Sequence, residues 1–103
     1  MAAVSDAEIE AVRALVAAIP TGRVTTYGDL AAAVGLTSPR IVGWIMRTDS
    51  ADLPWHRVIG VSGSPAPHLA QRQLDRLAAE GVPVRDGKVV MRVARWTPGA
   101  DTD

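Results

Sequence analysis

Thr25-Thr26-Tyr27-Gly28-Asp29-Leu30-Ala31-Ala32-Ala33-Val34-Gly35-Leu36-Thr37-Ser38-Pro39-Arg40-Ile41-Val42-Gly43-Trp44-Ile45-Met46-Arg47 reads as two helix starts divided by a glycine. Thr26 has the side chain of an N-cap, and Asp29, three residues on, puts a carboxylate at the positive end of the helix dipole. That helix is short, because Gly35 stands where a left-handed residue commonly closes a helix. After Leu36-Thr37, Ser38 followed by Pro39 is another start signal, since proline in the first turn loses no hydrogen bond. Two short helices joined by a tight glycine-containing turn form a helix-turn-helix. In the second of them Val42, Ile45 and Met46, flanked by Ile41, make an apolar stripe. Arg40, Gly43, Trp44 and Arg47 fall at i, i+3, i+4 and i+7 on the opposite side. That outer face is cationic, aromatic and bare at Gly43. A glycine inside a helix costs roughly 1 kcal/mol relative to alanine, so it serves either close packing of the preceding helix or the approach of another backbone.

Toward the N-terminus, Ser5-Asp6-Ala7-Glu8 has the spacing of a capping box, and Ile9, Val12, Leu15, Val16 and Ile19 repeat at helical intervals until Pro20. Thr21-Gly22-Arg23 is a turn and Val24-Thr25 is extended. Toward the C-terminus, Asp49 to Leu53 is a loop, Pro54-Trp55-His56-Arg57-Val58-Ile59 a dense segment ending at Gly60, and Ser62 to Pro67 a run of turn formers. A fourth helix is predicted from His68, with Ala70, Leu74, Leu77 and Ala78 inward, Arg72 and Arg76 outward, and Gly81 at its end. Val82-Pro83-Val84 and Lys88 to Val93 then pair as a hairpin about Asp86-Gly87. The fold expected is mainly α with a small β wing, a winged helix-turn-helix, occupying residues 1–103 as one domain with a loose tail from Thr97.

The chain has 103 residues, 48% of them hydrophobic, which suits one compact core and excludes a multi-domain enzyme. Having no cysteine, it cannot use a thiolate nucleophile, a zinc-cysteine site, an iron-sulfur cluster or a thiol switch. Met1-Ala2-Ala3-Val4 carries no basic residue, and no apolar run approaches the ~20 residues of a membrane span. A soluble intracellular protein without membrane contact is expected. Eleven basic residues balance eleven acidic ones, but unevenly: Asp6, Glu8, Glu10, Asp101 and Asp103 crowd the ends. Between residues 11 and 48, Arg13, Arg23, Arg40 and Arg47 face Asp29 alone. A net charge of zero argues for few neutralised phosphates and a shallow salt dependence if the partner is DNA.

Enzymatic readings are poorly supported by the residues. His56 and Glu80 could form an acid/base pair, but Ser62 and Ser64 lie in a polar loop without a nucleophile-elbow pattern, and the two histidines do not form a spaced metal-ligand set. Glu80 faces the negative end of its helix dipole, so it is either solvated or accepts specific hydrogen bonds. A binding reading uses more of the chain: Arg40, Trp44 and Arg47, with Tyr27 and the Trp55-His56-Arg57 segment, supply cations for phosphates and flat rings for bases. Each alone has an ordinary reading as packing or solvated surface; their joint arrangement does not.

Ile19-Pro20-Thr21-Gly22-Arg23-Val24-Thr25-Thr26-Tyr27-Gly28-Asp29-Leu30-Ala31, Arg40-Ile41-Val42-Gly43 and Pro54-Trp55-His56-Arg57-Val58-Ile59, in that order, resemble the DNA-binding domain of O6-alkylguanine-DNA alkyltransferases. Gln71 to Leu77 and Glu80-Gly81 extend the likeness, which covers roughly residues 9 to 95. The alkyltransferases carry Pro-Cys-His-Arg, whose cysteine accepts the alkyl group. Trp55 fills that slot here, and an indole N–H is a donor only. The Pro-Trp-His-Arg variant is similar to the alkyltransferase-like branch, which implies binding of alkylated guanine in double-stranded DNA without repair, delivery of the lesion to nucleotide excision repair proteins, and no cofactor or metal.

The resemblance also implies roles. Tyr27 crowds the lesion's phosphate and helps rotate the nucleotide outward, while Arg40 enters the base stack as a finger. Thr26 and the adjacent helix amides hold a neighbouring phosphate, and Gly43 lets the helix sit deep in the minor groove. Trp44 either extends the DNA face or packs sideways, with Arg47 on the same cationic side. Trp55 and Val58 line the pocket for the flipped base, and the loop of Ser62, Gly63 and Ser64 closes it. His56 and Glu80 match a catalytic relay and remain as a hydrogen-bonded pair. A monomer is expected, cytoplasmic and nucleoid-associated in a bacterium or nuclear in a eukaryote. The competing readings are a sequence-specific winged-helix transcription factor, which needs base-edge polar residues that the outer face lacks, and a hydrolase using His56 and Glu80.

Overall fold

The computed structural model describes residues 4–99. Helix α1 (Asp6–Ala18) begins on the expected reciprocal cap: Ser5 Oγ accepts from the Glu8 amide at 3.0 Å, and Glu8 Oε1 from the Ser5 amide at 2.9 Å. Strand β1 (Thr25–Thr26) leads directly into α2 (Tyr27–Val34), whose cap is Thr26 Oγ1 accepting from the Asp29 amide at 2.9 Å. Gly35 closes α2 in the left-handed conformation, and Ser38 caps α3 (Pro39–Thr48). The three helices enclose Val12, Val16, Leu30, Val42 and Ile45, each without solvent exposure. At roughly 1.5 to 3 kcal/mol for each aliphatic side chain of this size, this cluster is the main force fixing α3 against α2.

Val58 and Ile59 form β2, which pairs in parallel with β1, Thr25 opposite Val58 and Thr26 opposite Ile59. Nothing in the local sequence marks this ladder. Two-residue strands carry no alternation to read, and all four of these residues are buried, as parallel strands usually are. A 3-10 turn, Pro67–Leu69, precedes α4 (Ala70–Ala79), so the helix begins two residues later than His68. Its inner stripe is Gln73 and Leu77; Ala78, expected inside, is exposed because one residue further along a helix turns the side chain by about 100°.

The wing is β3 (Val84–Arg85) paired antiparallel with β4 (Lys88–Val89) about Asp86-Gly87, both at positive φ as a tight hairpin turn requires. The returning strand does not continue to Val93 as expected. Val90 donates to the Pro83 carbonyl, and Val93 and Ala94 then turn back onto Val90, forming the short helix α5 (Met91–Ala94). A second cluster, Val24, Ile59, Leu77, Val82, Val89 and Ala94, holds this half together. After α5 the chain returns to the helix-turn-helix: the Trp96 amide donates to the Val24 carbonyl at 2.6 Å, and Arg95 grips the Asp29 carboxylate at 2.7 and 2.9 Å. Of the tail expected from Thr97, Pro98 is buried, while Asp101 and Asp103 lie outside the described residues, as do Met1, Ala2 and Ala3. No helix among the described residues is long and apolar enough to cross a membrane. The architecture is the expected one, mainly helical with a small β wing.

Candidate nucleic-acid interface

Because β1 runs straight into α2, Tyr27 occupies the first helical position. The parallel partner β2 follows a 3-10 turn, Trp55–Arg57, so the ladder brings Tyr27 and Trp55 to one cavity of about 600 Å³. Gly43, Met46 and Arg47 of α3 form one side of it, and Ser50 and Ala51 follow on the connection to Trp55. The opposite wall is Ala66, His68 and Leu69 with Arg72 and Gln73 of α4. Tyr27 is half-buried, and that burial raises its phenol above the ordinary value, with nearby Arg47 opposing.

Trp55 is partly exposed and borders the cavity. Its ring stands perpendicular to that of His56, with centroids 6.0 Å apart. The guanidinium carbons of Arg72 and Arg76 lie 5.5 and 5.4 Å from the indole centroid, within cation–π range. The two arginines, four apart on α4, therefore give the aromatic wall a positive border.

The residues behind Trp55 are fixed by a polar hub. Glu80, at the end of α4, accepts from His56 Nε2 at 2.7 Å, from Arg57 Nε and Nη2 at 2.9 and 2.8 Å, and from the Gly22 amide at 3.0 Å. Arg57 spans outward, donating to the Ile19 carbonyl and to Thr21 Oγ1, both at 3.0 Å. These charge-assisted bonds resolve the misplaced carboxylate: Arg57 above all, then His56 and the Gly22 amide, hold Glu80 at about 2 against its partial desolvation. His56 Nδ1 is buried with no hydrogen-bond partner among the described residues. From α4, buried Gln73 donates to the carbonyls of His56 and Val58 at 3.1 and 2.7 Å. The sequence signal for Gln73 is its position four residues before Leu77, which puts it on the inward stripe of α4 as a polar clamp.

On α3, Arg40 and Arg47 are exposed, and Trp44 retains 44% of its surface, so Trp44 stays on the outer face rather than packing sideways. A Cβ placed on Gly43 would meet nothing within 4 Å. Packing against α2 therefore does not require this glycine.

Several expected site residues lie elsewhere. Val58 is 1% exposed and belongs to the core, because the ladder turns it inward immediately after the 3-10 turn. Ser62 and Ser64 bond to each other at 2.9 Å, and Gly63 is docked against β4, with its carbonyl accepting from the Val89 amide at 2.9 Å. A Cβ on Gly63 would lie 2.3 Å from the Val89 carbonyl oxygen. This contact draws the loop to the wing, and the cavity wall is supplied by residues 66–73 instead. Thr26 is 2% exposed with its hydroxyl committed to the cap, so any anion at the start of α2 would meet backbone amides and not this side chain.

A family model described as the DNA-binding domain of 6-O-methylguanine DNA methyltransferase matches residues 8–82. The Escherichia coli DNA base-flipping protein is 44% identical over 91 residues, covering 80% of this chain and 68% of that protein. Alkyltransferase-like protein 1 of Schizosaccharomyces pombe is 42% identical over 73 residues, covering 64% and 68% respectively. Among solved structures, the S. pombe alkyltransferase-like protein in complex with damaged DNA containing O6-carboxymethylguanine superimposes with a TM-score of 0.82 at 33% identity, over 93% of this chain and all of that one. The Mycobacterium tuberculosis O6-methylguanine methyltransferase gives a TM-score of 0.63 at 27% identity, over 81% of this chain and 54% of that one.

Proposed function

The chain belongs to the family of 6-O-methylguanine DNA methyltransferase DNA-binding domains, in its non-catalytic alkyltransferase-like branch, and we propose that it binds O6-alkylguanine in duplex DNA by rotating the damaged nucleotide outward, without accepting the alkyl group. The observation that carries this reading is Trp55: it stands in the slot of the acceptor cysteine and borders a cavity that opens beside the exposed face of α3. The volume is that of a small-ligand site, roughly 300 to 1,000 Å³.

The energetics fit. Extruding a base costs a few kcal/mol, and less where pairing is already damaged. Packing on an aromatic surface returns roughly 1 to 3 kcal/mol per base. Trp55 and Tyr27 offer such surfaces, Arg40 fills the vacated stack, and Gly43 admits the DNA backbone to α3, with Trp44 and Arg47 beside it. Discrimination then has two sources: a lesion easier to extrude, and an apolar neighbour for its alkyl group. His56 and Glu80 have no thiol to activate and serve as struts for the Trp55 turn. On this reading one domain acts as a monomer in the compartment that holds the DNA, and the complex recruits nucleotide excision repair proteins.

The test is a gel shift with matched duplexes containing O6-methylguanine or guanine, followed by mass measurement of the protein. Preferential binding of the modified duplex with unchanged protein mass is expected. Alkyl label on any residue would overturn the reading. A footprint that followed sequence and ignored the lesion would replace it with a transcription factor.

A further inference from the structure

Arg13 lies on α1, far in sequence from the cavity, yet its guanidinium reaches the segment that connects α3 to Trp55. Nη1 donates to the Asp49 carbonyl at 2.6 Å and to Asp49 Oδ1 at 3.3 Å. The Asp52 carboxylate is held by both terminal nitrogens, Oδ1 at 3.1 Å from Nη1 and Oδ2 at 2.6 Å from Nη2. Glu10 adds a weaker contact, 3.7 Å from Nε. These acceptors bracket Ser50 and Ala51, the two residues by which this connection lines the cavity. The connection has no regular structure beyond α3. Within itself it is held by the Ser50 hydroxyl donating to the Met46 carbonyl, and by the Leu53 amide donating to the Ser50 carbonyl at 2.9 Å.

Arginine suits this place for a geometric reason. One planar fork satisfies a carboxylate in bidentate fashion and a backbone carbonyl at the same time, which a lysine ammonium, a point charge, does not reproduce. The two aspartates are more than half exposed, and ion pairs in such settings contribute little to global stability. What the fork does is local: it ties both arms of the turn to a rigid helix. We infer that Arg13 is a positioning residue, which fixes the Asp49–Asp52 turn and through Ser50 and Ala51 shapes the cavity that receives the everted base. The inference rests on the proposed function for its consequence, and on the hydrogen bonds alone for the clamp.

The experiment compares wild type, Arg13→Met, Arg13→Lys, Asp52→Ala and the Arg13→Met/Asp52→Ala double variant on the matched duplexes, with amide hydrogen exchange of each free protein. In Arg13→Met the preference for the modified duplex should fall about fivefold, as a site does when its support loosens, with affinity for undamaged DNA unchanged. Arg13→Lys should recover only part of that loss, and the double variant should lose no more than Arg13→Met alone. The Leu53 and Trp55 amides should exchange about tenfold faster in Arg13→Met while Val16 in α1 is unaffected. Unchanged preference overturns the inference, and so do equal losses on both duplexes, which would mark a general charge or folding effect. If wild type itself does not distinguish the duplexes, the functional reading fails, and exchange at Leu53 and Trp55 alone decides the clamp: faster in Arg13→Met sustains it, unchanged removes it.

Discussion

Replacing Glu80 with glutamine tests the hub behind Trp55. The substitution keeps the shape and one oxygen acceptor but removes the charge that Arg57, His56 and the Gly22 amide all address. In the folded chain this carboxyl ionises at about 2 against an ordinary 4.5. At about 1.4 kcal/mol per factor of ten, that difference corresponds to roughly 3 kcal/mol of linked stability, which solvent screening at the site's rim reduces to on the order of 2. Since the folded value is depressed, the contribution is fully present above pH 4.5 and is lost as pH falls toward 2. Urea unfolding of wild type and Glu80→Gln, followed by circular dichroism from pH 7 to pH 2, should therefore show a gap of about 2 kcal/mol at neutral pH that closes on acidification. Asp29 and Asp52 are also held below the usual carboxylate range, by Arg95 and Arg13 respectively, but both proteins share them, so the difference curve isolates Glu80. A gap that stays constant down to pH 2.5, or that is absent at pH 7, would refute the reasoning.

Gly43→Ala should stabilise the fold by up to ~1 kcal/mol of helix propensity, read as a higher thermal midpoint, while weakening DNA binding about tenfold or more; undiminished binding would remove the proposed reason for that glycine. Gly63→Ala should destabilise by about 2 kcal/mol or more in urea titrations, because the new methyl group meets the Val89 carbonyl and the backbone sits at φ 84°. Arg40→Ala should weaken binding strongly in the gel shift, most of all to the modified duplex, where the side chain fills the vacated stack. Trp55→Ala should cut lesion preference more than undamaged-DNA affinity, by roughly the 1 to 3 kcal/mol of one stacking contact, and equal losses in the gel shift would deny the indole its pocket role.

The helix-turn-helix was legible because its punctuation is local. Ser5 with Glu8, Thr26, Ser38-Pro39, Gly35 and Asp86-Gly87 each act within a few residues of themselves, and each does in the structure what its chemistry requires. The pocket was legible only in part. Tyr27, Gly43, Arg47 and Trp55 meet at the cavity, whereas Val58 is pulled into the core by a ladder too short to leave a pattern. The family resemblance places Ser62, Gly63 and Ser64 at the pocket, but the backbone contact of Gly63 with Val89 depends on a hairpin more than twenty residues away. Gln73 and Arg13 were passed over for the same reason: their partners are carbonyls and carboxylates that only the tertiary fold brings within reach.

The two-rung parallel ladder has a mechanical consequence. Its register pairs Thr25 with Val58 and Thr26 with Ile59, immediately after the Trp55 turn and immediately before Tyr27, and all four residues are held in the interior, so the spacing between Tyr27 and Trp55 is set like the jaws of a locked calliper. The opposing wall, residues 66–73, is anchored at buried Gln73 but begins in a 3-10 turn with no side-chain cap and carries the long, exposed Arg72, which makes its outer part the compliant side of the gauge. On the proposed function, adducts of different girth would be measured against one fixed dimension and accommodated along the other.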